Sequence, residues 1–193
     1  MTSLAAGAAS QFTTTSITGA GLAVGIALLA IEHIRWWRGG RAGTAGKDEG
    51  GKAKDPKALI PTWFGVAFGV IAVGCPAGAL GIGAGLFRWS GNTFGGFVMN
   101  FFTGQTSSAV ATGAAPALTS NGALIVTALV ITLIALRKAF PKTSRGKFWR
   151  GAFAGCLVTI GTGMFMYLGK VVIPTVNEVG AQVMGTVVHG TLL

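Results

Sequence analysis

Two ionisable side chains near the end of an apolar segment are the first candidates for chemistry. Glu32 and His33 close the apolar stretch of residues 17–34, and an acid next to an imidazole within a membrane can form a proton relay. The same pair lies close in sequence to Arg35, where local ion pairing and access to the interface would satisfy both groups. We therefore expect a structural role for Glu32 and His33, with proton relay as the alternative.

The remaining candidate residues do not have the spacing of an active site. His33 and His189 are far apart, the five acidic residues form no pair suited to acid–base work, and Cys75 and Cys156 lie in apolar runs. The glycines match neither a dinucleotide-binding nor a phosphate-loop pattern, and His and Cys do not cluster at metal-ligand spacing. We predict that the protein is not an enzyme and that it uses no metal or other cofactor.

The composition indicates a membrane protein. Charged residues make up 10% of the 193-residue chain and 32 residues are glycine, whereas soluble proteins average ~25% charged residues. Too little charge is available to cover a soluble core of this size. We predict an all-α integral membrane protein whose first partner is the lipid bilayer.

The cations are concentrated in two short segments. Of fifteen Lys and Arg residues, seven lie between Arg35 and Lys57 and six lie in residues 137–150. The positive-inside rule places such segments in the cytoplasm, which predicts a cytoplasmic (inner) membrane protein with both termini outside. The second segment is predicted to be a turn that contacts lipid headgroups or, alternatively, nucleic acid. Its cations are Arg137, Lys138, Lys142, Arg145, Lys147 and Arg150.

Apolar segments flank both basic turns, and they predict four transmembrane helices arranged as two helical hairpins. The second transmembrane helix contains Cys75-Pro76, where proline should kink or break it. We expect Arg88 and Trp89 to end this helix on the outer side. Phenylalanines at helical spacing then predict an extra interfacial helix. The spans are predicted at 17–36, 61–87, 121–137 and 150–170, and the interfacial helix at 91–103. We divide the chain into a first hairpin unit, 1–110, and a second, 111–193, which ends in an apolar tail.

Glycines at i, i+4 spacing recur along the spans, and in lipid such spacing allows two helix backbones to approach closely. The second span repeats this spacing over nearly its whole length, which is more than one neighbour needs. We therefore predict that the protein forms a homo-oligomer through the glycine faces of its second and fourth spans. The predicted packing residues are Gly65, Gly69, Gly74, Gly78, Gly81, Gly85, Gly151 and Gly155.

The two halves share an order of parts and some aligned residues. Trp63-x-Gly65-x3-Gly69 matches Trp149-x-Gly151-x3-Gly155. Further on, Asn92-x2-Gly95-x2-Val98-Met99 matches Asn177-x2-Gly180-x2-Val183-Met184. These matches indicate a parallel duplication, and the alternative is chance similarity in a glycine-rich apolar sequence.

This layout resembles the conjugative pilin family of type IV secretion systems, in which two apolar helices flank a short basic cytoplasmic turn. Residues 122–168 with the turn 137–150 carry the resemblance, and residues 17–87 carry it with a longer turn. It implies storage in the inner membrane, assembly into an extracellular filament, and basic-turn residues that face DNA or lipid in the lumen. The chain departs from the family in its doubled unit and its extra segment at 90–120, and we expect no long cleavable leader. The layout is also similar to small multi-span proteins of conjugative plasmids and to phage holins.

The predicted function is therefore that of a membrane-embedded structural or pore-forming subunit, in a DNA-transfer or secretion apparatus or as a holin-like protein. The alternative is a small-solute transporter with its site at the helix break near Cys75-Pro76. No ionisable residue lies in the middle of any predicted span, which favours the structural subunit. The sequence identifies no small-molecule substrate.

Overall fold

The computed structural model describes residues 16–39, 56–75, 78–111, 116–135, 142–159 and 166–189. The described chain has an all-α architecture with two very short strands that pair with each other. Its helices are α1 (Gly19–Gly39), α2 (Ile60–Gly74), α3 (Gly78–Thr103), α4 (Ser120–Ala135), α5 (Lys142–Val158) and α6 (Met166–His189), with a 3-10 turn at Pro56–Leu59 before α2. The strands are β1 (Ile17–Thr18) and β2 (Ala109–Ala111).

The predicted second span, 61–87, is wrong as a single helix. Helix α2 ends at Gly74, the next residue Cys75 is extended at φ −76° and ψ 116°, and α3 starts at Gly78 with φ 82°. Proline has no backbone N–H and disfavours helical geometry in the residue before it. Pro76 therefore explains the break expected at this dipeptide, and it divides the predicted span into two helices.

The predicted interfacial helix, 91–103, is also wrong as a separate element, because it is the second part of α3. The polar residues near its start do not interrupt the helix, since their hydroxyls bond to carbonyls of the preceding turn. Ser90 donates to the carbonyl of Phe87 and Thr93 to that of Trp89. At 26 residues, α3 is roughly 39 Å long.

The second predicted hairpin also differs from the structure, because its second span is broken. Helix α5 ends at Val158, so the predicted span 150–170 is not continuous, and the predicted apolar tail belongs to α6, which runs to His189 with Pro174 inside it. The basic segment 137–150 is helical from Lys142 onward, so the predicted turn is wrong for that part, and residues 137–141 lie outside the described residues. Glycine and threonine in the sequence after Val158 are weak helix formers, which accounts for the end of α5.

Helices α2 and α5 form the centre of the fold and run parallel. Gly65 of α2 lies against the backbone of Phe148, and Gly151 of α5 lies against the backbone of Thr62. One turn further along, Gly69 meets the backbone of Ala152 and Gly155 meets that of Val66. Because each contact of α2 on α5 has a reciprocal contact of α5 on α2, the two helices are related by an approximate two-fold axis parallel to both. We call α1–α3 and α4–α6 the two halves; the axis relates their central helices, whereas α1 packs along α5 and no comparable contact joins α4 to α2 among the described residues.

The buried core lies where the outer helices meet this central pair. Ile17 packs with Leu157, Val66 and Val70 pack with Ile173, and Ala72 and Ala84 pack with Cys156. Helix α1 runs antiparallel to α5, since Gly25 faces Leu157 and Glu32 faces Arg150. The start of α1, the strand pair and the end of α5 therefore lie toward one end of the bundle.

The other end, which we call the basic end, contains the end of α1, the 3-10 turn and the starts of α2 and α5. The ammonium group of Lys147 donates to the carbonyl oxygen of Ala58 across 3.0 Å, and the His33 ring contacts Trp63 edge-on with centroids 5.6 Å apart. These contacts bring the described parts of the two basic segments, which were predicted to lie on the same side of the membrane, to the same end of the bundle.

Two described helical segments are long and apolar enough to cross a membrane: Gly19–Arg38, and Pro56–Gly74 with its 3-10 turn. Ser120–Ala135 is apolar but shorter. Large apolar side chains are exposed on every helix, including Ile31, Phe64, Phe97, Ile131, Trp149 and Val187. The predicted outside positions of both termini concern residues 1–15 and 190–193, which lie outside the described residues.

Candidate functional site

The crossing of α2 and α5 uses four of the glycines predicted for helix packing. A methyl group on Gly65 would overlap the carbonyl oxygen of Phe148, and one on Gly151 would overlap that of Thr62. Gly69 and Gly155 are equally close to Ala152 and Val66. These four glycines, predicted to join copies of the chain, therefore contact each other's helices within one chain. Backbone contact of this kind is what small residues allow between helices in lipid.

The other predicted packing glycines have different environments. Gly74 lies against Ile173 of α6 and the carbonyl oxygen of Pro116. Gly78 faces open space and has the positive φ that begins α3. Gly85 is buried and Gly81 is half-buried in α3.

An asparagine in each half fastens the start of the first helix of that half to its third helix. The side-chain oxygen of Asn92 accepts from the backbone N–H and the hydroxyl of Thr18 at 3.0 and 3.2 Å. That of Asn177 accepts from the same two groups of Thr119 at 2.9 and 3.1 Å. Each asparagine also donates through its amide nitrogen, to the carbonyl of Ser16 or of Ala117.

The two threonines are the N-caps of their helices. The Thr18 hydroxyl accepts from the N–H of Gly21, and the Thr119 hydroxyl accepts from that of Gly122, three residues on in each case. This is the bond by which an N-cap side chain satisfies a free N–H in the first helical turn. We call each Asn–Thr–Gly set an asparagine clamp. The sequence comparison aligned Asn92 with Asn177, but it did not identify their threonine partners.

Arg88 is buried, which contradicts its predicted position at the outer end of a span. Only 4% of the residue is exposed, its Nε donates to the carbonyl oxygen of Cys156 at 3.1 Å, and its Nη2 donates to that of Thr159. The last carbonyls of a helix have no intrahelical partner and carry partial negative charge. Arg88 of α3 therefore caps the C-terminal end of α5.

Glu32 is a second buried charged residue, 5% exposed. Its Oε1 lies 3.0 Å from Arg150 of α5 and 3.6 Å from Arg35 of its own helix, although neither contact has hydrogen-bond geometry at that oxygen. The His33 ring nitrogen Nδ1 lies 2.7 Å from the carbonyl oxygen of Leu29. Sequence reasoning anticipated local pairing with Arg35, but nothing in the spacing indicated Arg150.

The cations of the second basic segment have differing environments. Arg137 and Lys138 lie outside the described residues, and Lys142 begins α5. Arg145 is exposed, Lys147 is bonded to Ala58, and Arg150 pairs with Glu32 and donates to the carbonyl of Gly146. Two of the six predicted contact residues therefore join elements of the same chain.

No family model, curated protein or solved structure matches this chain. Within the described ranges, no group of three or more His, Cys, Asp and Glu side chains is placed to hold a metal ion. The arrangement of the site thus consists of a closed helix crossing, two asparagine clamps and two buried charges that link helices.

Proposed function

We propose that the protein is an integral protein of the cytoplasmic membrane that crosses the bilayer four times, with its basic end in the cytoplasm. In this topology α1 and α4 cross as single helices, whereas α2 with α3 and α5 with α6 cross as broken helices. The apolar exterior supports the proposal, as do the half-exposed indoles of Trp37, Trp63 and Trp149 at the basic end, because tryptophan concentrates at headgroup level.

Two engineered cysteines test this topology. Thr106 is exposed near the strand pair, and Gly146 is exposed at the basic end with open space around its α-carbon. An impermeant thiol reagent added to intact cells should label Thr106→Cys and spare Gly146→Cys until the cells are opened. Labelling of Gly146→Cys in intact cells would exclude the proposed orientation.

Within the membrane we propose a structural subunit that assembles with other copies, so that any pore lies between chains. The surface available for assembly is the set of large apolar side chains exposed on the described helices. The α2–α5 crossing supports a pore between chains, because backbone meets backbone there at four glycines and leaves no room for a lumen between these helices. Mass determination in native nanodiscs at high protein density tests it. A chain that remains monomeric there would contradict an assembly role.

The proposed setting of the assembly is a DNA-transfer apparatus of the type IV secretion kind. It is supported by the resemblance of layout and by the cations at the basic end, such as Arg145. A gene for a DNA-translocating ATPase beside this gene would support that setting, whereas a lysis cassette would favour a holin-like role.

A specific observation favours the transporter alternative as well. Helix breaks follow α2 and α5 at corresponding places in the two halves, and paired breaks of this kind form binding sites in transporters. Arg88 adds a buried cation next to the second break, where membrane proteins often hold functional charges. Saturable anion uptake into proteoliposomes that is abolished by Arg88→Met would support this alternative over the structural role.

A further inference from the structure

A shallow apolar groove of about 480 Å³ lies at the basic end, where the 3-10 turn joins α2. The residues that line it follow one another at helical spacing along a single face: Pro56, Leu59, Ile60, Trp63, Phe64 and Ala67. Three of them expose large apolar surfaces to the exterior, with Ile60 at 60%, Trp63 at 46% and Phe64 at 44%. Every lining side chain is one that an alkyl chain would contact.

Two cations border this groove. Lys57 is exposed and belongs to the same 3-10 turn. The ammonium group of Lys147 lies 3.0 Å from the carbonyl oxygen of Ala58, which stands between Lys57 and the lining residue Leu59. The site therefore combines an apolar surface with positive charge next to an exposed tryptophan, the combination found where a bilayer meets the cytoplasm.

We propose that the groove binds an acyl chain of one anionic phospholipid, with Lys57 and Lys147 next to its phosphate. This inference rests on the proposed membrane location. Charge complementarity selects the ligand, since both bordering cations attract an anionic headgroup and the lining side chains offer contacts only to an apolar tail.

The two-fold relationship between the halves limits the site to one per chain. In α5 the positions of Phe64 and Ala67 are taken by Arg150 and Phe153, so the second half has a charged side chain and a large ring where the first half has the groove. Arg150 is also engaged with Glu32. A lipid held here should therefore appear at one copy per chain, unlike the many lipids that surround any membrane protein.

Native mass spectrometry of the full chain tests the site, after reconstitution with equal amounts of phosphatidylglycerol and phosphatidylcholine. We expect one phosphatidylglycerol to remain bound per chain. Ala67→Phe introduces the residue of the second half, fills the groove and should abolish retention, while Ala128→Phe on the exposed face of α4 should not. Lys57→Gln with Lys147→Gln should weaken retention about 30-fold, at ~1 kcal/mol per cation, and Lys170→Gln should leave it unchanged.

Three results would overturn the site: equal retention of both lipids, retention unaffected by Ala67→Phe, or recovery of a protein segment in the groove. Each of these results tests the lipid site only if the wild-type chain is found in the membrane fraction. A wild-type chain found in the soluble fraction would instead contradict the proposed membrane location.

Discussion

Arg88 of α3 and Ile173 of α6 occupy equivalent positions in the two halves, each one helical turn before the asparagine of its clamp. Ile173 packs against Val70 of α2, and Arg88 bonds to the carbonyl of Cys156, the residue of α5 that corresponds to Val70. The same place in the fold therefore holds an apolar contact in one half and a helix cap in the other.

Replacing Arg88 by methionine should destabilise the protein. The carbonyl oxygens of Cys156 and Thr159 would lose their guanidinium partner inside the core, and each unsatisfied buried group costs ~1–3 kcal/mol. Thermal unfolding in detergent, followed by tryptophan fluorescence, measures the effect, with the exposed Lys170→Gln as control. Equal unfolding temperatures for Arg88→Met and wild type would show that the cap does not contribute to stability.

Alanine substitutions of glycines at the α2–α5 crossing should destabilise the protein much more than alanine substitutions of glycines elsewhere. Gly65→Ala and Gly151→Ala should each destabilise the protein by ~1–3 kcal/mol or more, because the added methyl meets backbone that cannot move aside. Their costs should be similar, since the two sites are related by the two-fold axis. Gly83→Ala and Gly185→Ala have open space around them and should be neutral or stabilising by ~0.5–1 kcal/mol. Similar unfolding temperatures for crossing and control variants would contradict the packing.

The two asparagine clamps should contribute unequally to the stability of the protein. Asn92→Ala should cost ~1–3 kcal/mol because the N–H and hydroxyl of the half-buried Thr18 lose their acceptor. Asn177→Ala should cost less, because Thr119 is exposed and water can replace the lost amide. Unfolding of both single variants and the double variant measures the contributions, which should add because the clamps share no partner. A larger effect at Asn177 would reverse the predicted order.

The Glu32–Arg150 pair should be replaceable by apolar residues but sensitive to loss of one partner. Arg150→Gln leaves a carboxylate that is 6% exposed with only Arg35, at 3.6 Å, and we expect a cost of about 2 kcal/mol. This is below the ~3–5 kcal/mol of fully buried pairs because Arg150 is 41% exposed. The double variant Glu32→Leu, Arg150→Phe replaces both charges by apolar side chains and should recover most of the loss. A double variant less stable than Arg150→Gln alone would contradict this expectation.

Sequence periodicity predicted the parts of the fold that depend on local composition. The first and third spans were predicted at 17–36 and 121–137, and the corresponding helices are Gly19–Gly39 and Ser120–Ala135. The glycine spacing and the aligned asparagines likewise pointed to residues that make equivalent contacts in the two halves. The helix and glycine signals come from residues within a few turns of each other, where the pattern itself limits the geometry, whereas the asparagine signal comes from the similarity between the two halves.

The parts of the fold that the sequence did not predict depend on contacts between distant segments. Arg88 appeared to be a flanking residue because its partners, the carbonyls at the end of α5, follow it by 68 and 71 residues. The glycine faces seemed to exceed what one chain needs because their reciprocal partner could not be seen in the sequence. The break at Cys75-Pro76 is different, because the proline itself indicates it in the sequence.

The glycine crossing joins two helices that are synthesised at different times. Cys156, whose thiol donates to the carbonyl of Gly69, follows that residue by 87 residues. At ~5–20 residues per second of synthesis, the glycine face of α2 is made about 4–17 s before the part of α5 that packs on it. During that interval the glycine face of α2 lacks its partner in the same chain and is open to the same face of any other unfinished chain on the same messenger. Slower translation between the two halves should therefore increase the yield of chains paired through the wrong copy of α2.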